Sequence, residues 1–252
     1  ITINLAAVAA FCIVVASPTL VSSSCATPKT EQEDTTIIRE DSGITALKYS
    51  SPEVPASIEF CGKTIDLSRF DRHERMDREL LAFTYMHSTS LQMLKKANRY
   101  FSIVEPILKE NGIPDDFKYL MVIESNMNPT ARSSAGAAGL WQFMQGTGRD
   151  YGLEVNNNVD ERYHIEKATR AACRYLKDAY AKYKDWVAVA ASYNAGQARI
   201  ASQLAKQDVD DSLDLQLVEE TARYVYRILA AKQLFNAPTT FGFRLRASDL
   251  YP

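Results

Sequence analysis

Histidine, cysteine and a surplus of either charge are all scarce in this chain, and each shortage closes off a class of function. The three histidines, His73, His87 and His164, have no ligand spacing among themselves or with cysteine, so no metal site is expected. Lys and Arg number 29 against 31 Asp and Glu, so charge gives no reason to expect nucleic acid or an anionic surface as a partner. Of the four cysteines only Cys61 and Cys173 lie beyond residue 25. A disulfide between them is one reading and two separate small buried residues another, because their distance is not legible in sequence. Period-two alternation is missing from the body of the chain, which excludes a sheet-based fold and leaves a mainly α one.

What is present begins with an almost uncharged apolar stretch over residues 1–16. It is too short to span a bilayer comfortably, is followed by small residues, and resembles the core of a secretory signal that has lost its Met and basic start. Residues 1–24 are therefore expected to be a signal peptide and the protein to be exported. Cys25 follows Val21-Ser22-Ser23-Ser24, a loose match to the bacterial lipoprotein signal, with Ser22 where Leu is usual. Lipidation of Cys25 and ordinary cleavage near Ala26 both fit. Thr, Ser, Glu, Asp and Pro then dominate without periodicity, and residues 25–60 read as a flexible tether.

The chain is organised around residues 113–144, IPDDFKYLMVIESNMNPTARSSAGAAGLWQFM. Pro114, Asp115 and Asp116 mark a helix start, and Phe117, Leu120, Met121 and Glu124 then fall on one stripe. A carboxylate on an apolar stripe loses hydration, and its usual escape is a raised pKa with the proton kept, which is what a general acid requires. A structural Glu paired with Arg, or a slipped register on a solvated face, accounts for the same residues. Asn128-Pro129 is expected to stop the helix, and 133–139 is a run of almost no side-chain volume that lets a ligand approach backbone. Residues 140–144 add apolar platforms and one amide, a mixture suited to sugars.

Flanking segments read as helices: 71–101 as two or one broken, then 98–110, 160–182 with an Ala-rich face, 186–193, and 221–235. Asp160, Glu161 and Glu166 read as caps and first-turn charges, and Glu220 as a structural residue opening the last helix.

Four short segments in order carry a resemblance: Glu124-Ser125, Gly139-Leu140-Trp141-Gln142-Phe143-Met144, Ser192-Tyr193-Asn194-Ala195-Gly196, and Glu220-Thr221-Ala222-Arg223-Tyr224-Val225. Together they resemble the signatures of the soluble-type (SLT) lytic transglycosylase family, in particular its membrane-bound murein transglycosylase D group, over roughly residues 97–243. The resemblance implies a lysozyme-like helical domain over 97–252, preceded by an N-terminal helical extension over 61–96. It implies cleavage of peptidoglycan glycan strands between N-acetylmuramic acid and N-acetylglucosamine, without cofactor or metal, with 1,6-anhydromuramic acid ends. Glu124 becomes the single catalytic acid and base, a role open to one carboxylate when the substrate supplies its own nucleophile. Ser125, Ser133, Gln142, Met144, Tyr193, Asn194 and Tyr224 become substrate-site residues. The expected setting is the periplasm, with a lipid on Cys25 holding the protein to the outer membrane as one reading and simple secretion as the other; a monomer fits both, and the oligomeric state is not legible in sequence.

Two departures stand out. Many members carry carbohydrate-binding repeats after the catalytic domain, so wall targeting here is expected from the tether, a partner or a separate polypeptide. Trp141 stands where many relatives have a smaller apolar residue, which leaves the cleft preference open. A hydrolase on the same fold and a silent glycan-binding module are the competing readings; a buried acid serves no purpose in the latter.

Overall fold

The computed structural model describes residues 51–252. The expected signal segment, Cys25 and most of the expected tether lie outside the described residues. The described chain opens on a hairpin, β1 (Ser57–Phe60) and β2 (Lys63–Asp66), paired antiparallel with Ile58 opposite Ile65 and Phe60 opposite Lys63. Cys61 and Gly62 turn the chain with φ of 54° and 81°, the left-handed pair that a two-residue hairpin loop requires. Ile58, Phe60 and Ile65 are buried. This corrects two expectations: the tether does not extend to residue 60, and the body does contain strands. Four-residue strands are too short to display a period, so the sequence pattern missed them.

Helices follow: α1 (Phe70–Tyr85), α2 (His87–Glu110), α3 (Phe117–Ser125), α4 (Gln145–Asp150), α5 (Ile165–Tyr183), α6 (Trp186–Ala195), α7 (Gln197–Lys206) and α8 (Glu219–Asn236). The fold is mainly α, as expected. The segments read separately as 71–101 and 98–110 regroup, because the break falls at Met86 and α2 then runs unbroken through residue 96, the expected domain boundary. Helices α4 and α7 were not anticipated; the first has six residues, QGTGRD, and no apolar stripe.

At the centre lies α6, whose residues Val187 to Ser192 are all buried. Against it pack α5, whose expected small face of Ala168, Ala171, Ala172, Leu176 and Ala179 is buried, and α8, buried over much of Tyr224 to Leu234. Helix α8 also lies along α1 and touches α3, and so joins the first helix of the fold to the one bearing Glu124. Asp116 ties the start of α3 down: it accepts from the Cys61 amide at 2.7 Å and pairs with Lys232 of α8 at 2.7 Å. Lys232 donates in turn to the Glu59 carbonyl. Cys61 and Cys173 are both free thiols, so the disulfide reading does not hold. Among the described residues no helix is long and apolar enough to cross a membrane.

Candidate active site

Helix α3 is nine residues long and buried on nearly every side, with Phe117, Leu120, Met121 and Val122 out of contact with water. Its end is set by Asn126 and Met127, both left-handed at φ 49° and 59°, two residues before the expected Asn128-Pro129 stop. Glu124 thus occupies the last turn, half-buried at the surface of the core. The register expected from the apolar stripe is the one observed.

Burial raises the Glu124 carboxyl from an ordinary 4.5 to about 7. Three groups of α8 modulate that shift. The Tyr224 hydroxyl donates to Glu124 Oε1 and, with the Arg227 charge, favours the carboxylate, whereas Glu220 opposes it. Desolvation outweighs the tyrosine and the arginine, so the acid keeps its proton near neutral pH. Burial also pushes the Tyr193 and Tyr224 hydroxyls up, with the Glu124 charge adding to it.

A cleft of about 290 Å³ opens where α6 ends, walled by Gln142, Phe143, Met144, Thr147, Tyr193 and Asn194 among others. Met144 is 45% exposed and gives this cleft its apolar face. Asn194 accepts from Thr221 at 2.8 Å, and the Tyr193 hydroxyl donates to the Trp141 carbonyl at 2.8 Å. A second cavity of about 280 Å³, lined by Ile123 and Asn126 together with Glu79, Arg223 and Arg227, lies on another side of the helix end that bears Glu124. A larger, shallow depression of about 870 Å³ lies at the opposite end of α3. Two of its charged groups, Glu105 and Asp115, both pair with Lys118.

The loop between Glu124 and Met144 is held from outside. Arg162, 4% exposed, donates from Nη1 to the carbonyls of Gly136 at 2.8 Å and Phe143 at 2.9 Å, while Nε and Nη2 fork onto Asp160 at 2.9 and 2.7 Å. Gly139 passes so close to this brace that a Cβ there would stand 1.9 Å from the Arg162 carbonyl oxygen, and its φ of 77° already disfavours any side chain. Gln142 is left-handed too, at φ 48°, and its amide donates to the carbonyls of Ala131 at 3.2 Å and Gly139 at 2.8 Å.

Of the residues expected at the site, Gln142, Met144, Tyr193 and Asn194 wall the cleft, and Tyr224 meets the acid. Ser125 and Ser133 do not join them. The Ser125 hydroxyl turns back onto the Met121 carbonyl at 3.3 Å, and that of Ser133 accepts from the Ala137 amide at 3.0 Å to close a turn. Trp141 is no platform: it is fully buried with its indole N–H on Thr169 at 2.9 Å, so its bulk fills the core and does not shape the cleft. Arg162 was missed, because a lone Arg between Glu161 and Tyr163 has no pattern to reveal that three acceptors await it.

Comparison with known proteins adds ancestry to this geometry. Residues 102–214 match a family described as the transglycosylase SLT domain. Over 181 residues, 70% of this chain, the sequence is 30% identical to the membrane-bound lytic murein transglycosylase D of Escherichia coli K12. It is 29% identical over 149 residues, 57% of this chain, to the peptidoglycan transglycosylase gp16 of Escherichia phage T7. The chain spans 39% of the first relative and 11% of the second. A solved structure, an inactive mutant of the lytic transglycosylase Slt from Pseudomonas aeruginosa, aligns with 61% of this chain and 26% of its own at 20% identity and a TM-score of 0.46.

Proposed function

We propose that this chain, whose residues 102–214 match the transglycosylase SLT domain, is a peptidoglycan lytic transglycosylase with Glu124 as its one acid and base. The observation that carries this reading is a carboxyl group raised to about 7 whose charge acts on Tyr193, a wall residue of the cleft where α6 ends. In its protonated form, Glu124 hands its proton to the oxygen bridging N-acetylmuramic acid and N-acetylglucosamine, and the glycosidic bond breaks. The 2-acetamido group of the muramyl residue supplies the transient nucleophile, so no second carboxylate is needed. The carboxylate then takes the proton of the muramyl 6-hydroxyl, whose oxygen closes on C1 to form the 1,6-anhydro ring. Tyr224 serves both steps by fixing the carboxyl plane. Met144 offers an apolar face to a pyranose ring, and Asn194 and Gln142 offer amides at the cleft wall. Ser125 and Ser133 support the helix end and the loop, consistent with their bonds to backbone.

Product mass is the deciding measurement. Digested murein glycans are expected to end in anhydromuramyl groups, one water lighter than the reducing ends that a hydrolase on the same scaffold leaves.

The membrane-bound description of the Escherichia coli relative, together with the apolar residues 1–16 ahead of Cys25, supports a periplasmic enzyme anchored by a lipid on that cysteine. In the full-length protein with its leader, Cys25→Ser is expected to move the enzyme from the membrane to the soluble periplasmic fraction. A parent protein already soluble there would favour plain cleavage near Ala26.

A further inference from the structure

The chemistry assigned to Glu124 leaves a second buried carboxylate unused. Glu79 of α1 is 1% exposed, yet it lies in none of the four signature segments. Its Oε1 accepts from Arg223 Nε at 2.6 Å and has Arg78 Nε at 3.5 Å, and its Oε2 faces Arg227 Nε at 3.6 Å. Arg223 and Arg227 sit on α8 on either side of Tyr224, and with Glu79 they line the cavity that reaches Ile123 and Asn126 of the acid's helix. A buried ion pair is weak evidence of stabilisation, because the desolvation it costs rivals the attraction it gains.

Two demands conflict at Glu124. Tyr224 must come close enough to donate to the acid, but the helix that brings it also brings a guanidinium, and a cation within ~4–6 Å favours the carboxylate. The groups facing Glu124 are Tyr224, Arg227 and Glu220 from α8 and Tyr193 from α6; from α1, Glu79 is the anion that Arg227 meets. We infer that Glu79 is a positioning residue for the reaction: it grips Arg223 and Arg227 from the α1 side, setting Tyr224 against Glu124 while drawing guanidinium charge away from the acid. The inference rests on the reading of Glu124 as the acid of a glycan-cleaving enzyme.

The test is Glu79→Gln, which keeps shape and removes charge. Carbon-13 NMR titration of the Glu124 carboxyl, assigned by its loss in Glu124→Gln, is expected to show the midpoint fall by about one unit. The alkaline limb of the rate on glycan strands should move with it, lowering kcat about fivefold at pH 7, as the protonated fraction drops from about one half to about one tenth, with KM held. The double variant Glu79→Gln, Arg227→Gln should return both midpoint and limb toward the parent. A role confined to stability would lower the melting temperature, leave midpoint and limb in place and show no rescue, and that result would overturn the inference. If Glu79→Gln does not fold, Arg227→Gln alone decides: the Glu124 midpoint must rise, and an unchanged midpoint counts against us. The titration needs no substrate, so absent turnover in the parent speaks against glycan cleavage while the midpoint still judges Glu79.

Discussion

Glu124→Gln is expected to lower turnover of glycan strands by roughly 10³-fold or more, at the upper part of the range for a positioned acid and base, while glycan binding and the fold persist. The amide matches the carboxyl in shape and still accepts from Tyr224, but it cannot deliver a proton to the bridging oxygen or take one from the 6-hydroxyl. Residual activity within tenfold of the parent would sink the assignment. The same substitution carries a stability signature. Because burial raises the folded-state pKa to about 7 from 4.5, the unfolded chain releases this proton first as pH rises. The parent therefore loses stability between those two values and not below them, by roughly 3 kcal/mol in all. Glu124→Gln escapes that loss, so melts across pH should show it gaining on the parent from pH 4 to pH 7. A constant difference would mean that the carboxyl is already solvated. Rate should fall over the same upper range, as the acid is emptied.

Arg162→Met is expected to cost about 3 kcal/mol or more, since it strips the donors from Asp160 and from two loop carbonyls at once. Urea denaturation of the two proteins measures this directly. The loop from Gly136 to Phe143, which carries the cleft residues Gln142 and Phe143, depends on the same guanidinium, so kcat/KM should fall further than the folded fraction alone explains. Adding Asp160→Asn should recover part of the stability by removing the stranded charge, and little of the activity, because the carbonyls stay unmet. A cost under 1 kcal/mol would show that the loop holds itself.

Periodicity carried much of this architecture. The stripe through Phe117, Leu120 and Met121 placed Glu124 at the correct edge of α3, and the alanines of α5 marked the face that is buried. Those features are local, and a helix displays its buried side every three or four residues. What escaped was long-range or too short to repeat. The hairpin offered two strands of four residues, and α4 offered six residues with no apolar side. Ser125 and Ser133 were expected at the site only through the resemblance, and both hydroxyls bond to nearby backbone groups. Trp141 looked like a platform for the converse reason: an indole serves equally well in a core, provided its N–H finds a partner, and Thr169 stands 28 residues away.

The bond from Tyr224 to Glu124 spans 100 residues of chain, and that separation orders events during synthesis. Until α8 has emerged and docked, the helix bearing the acid lacks the wall that dries it, and its carboxyl sits in water with an ordinary affinity for protons. A nascent or clipped chain ending before residue 219 can hold every residue of the matched domain, 102–214, and still lack the acid's partner. On the proposed function, the tuning of the acid thus arrives with α8, after every residue of 102–214 has been made.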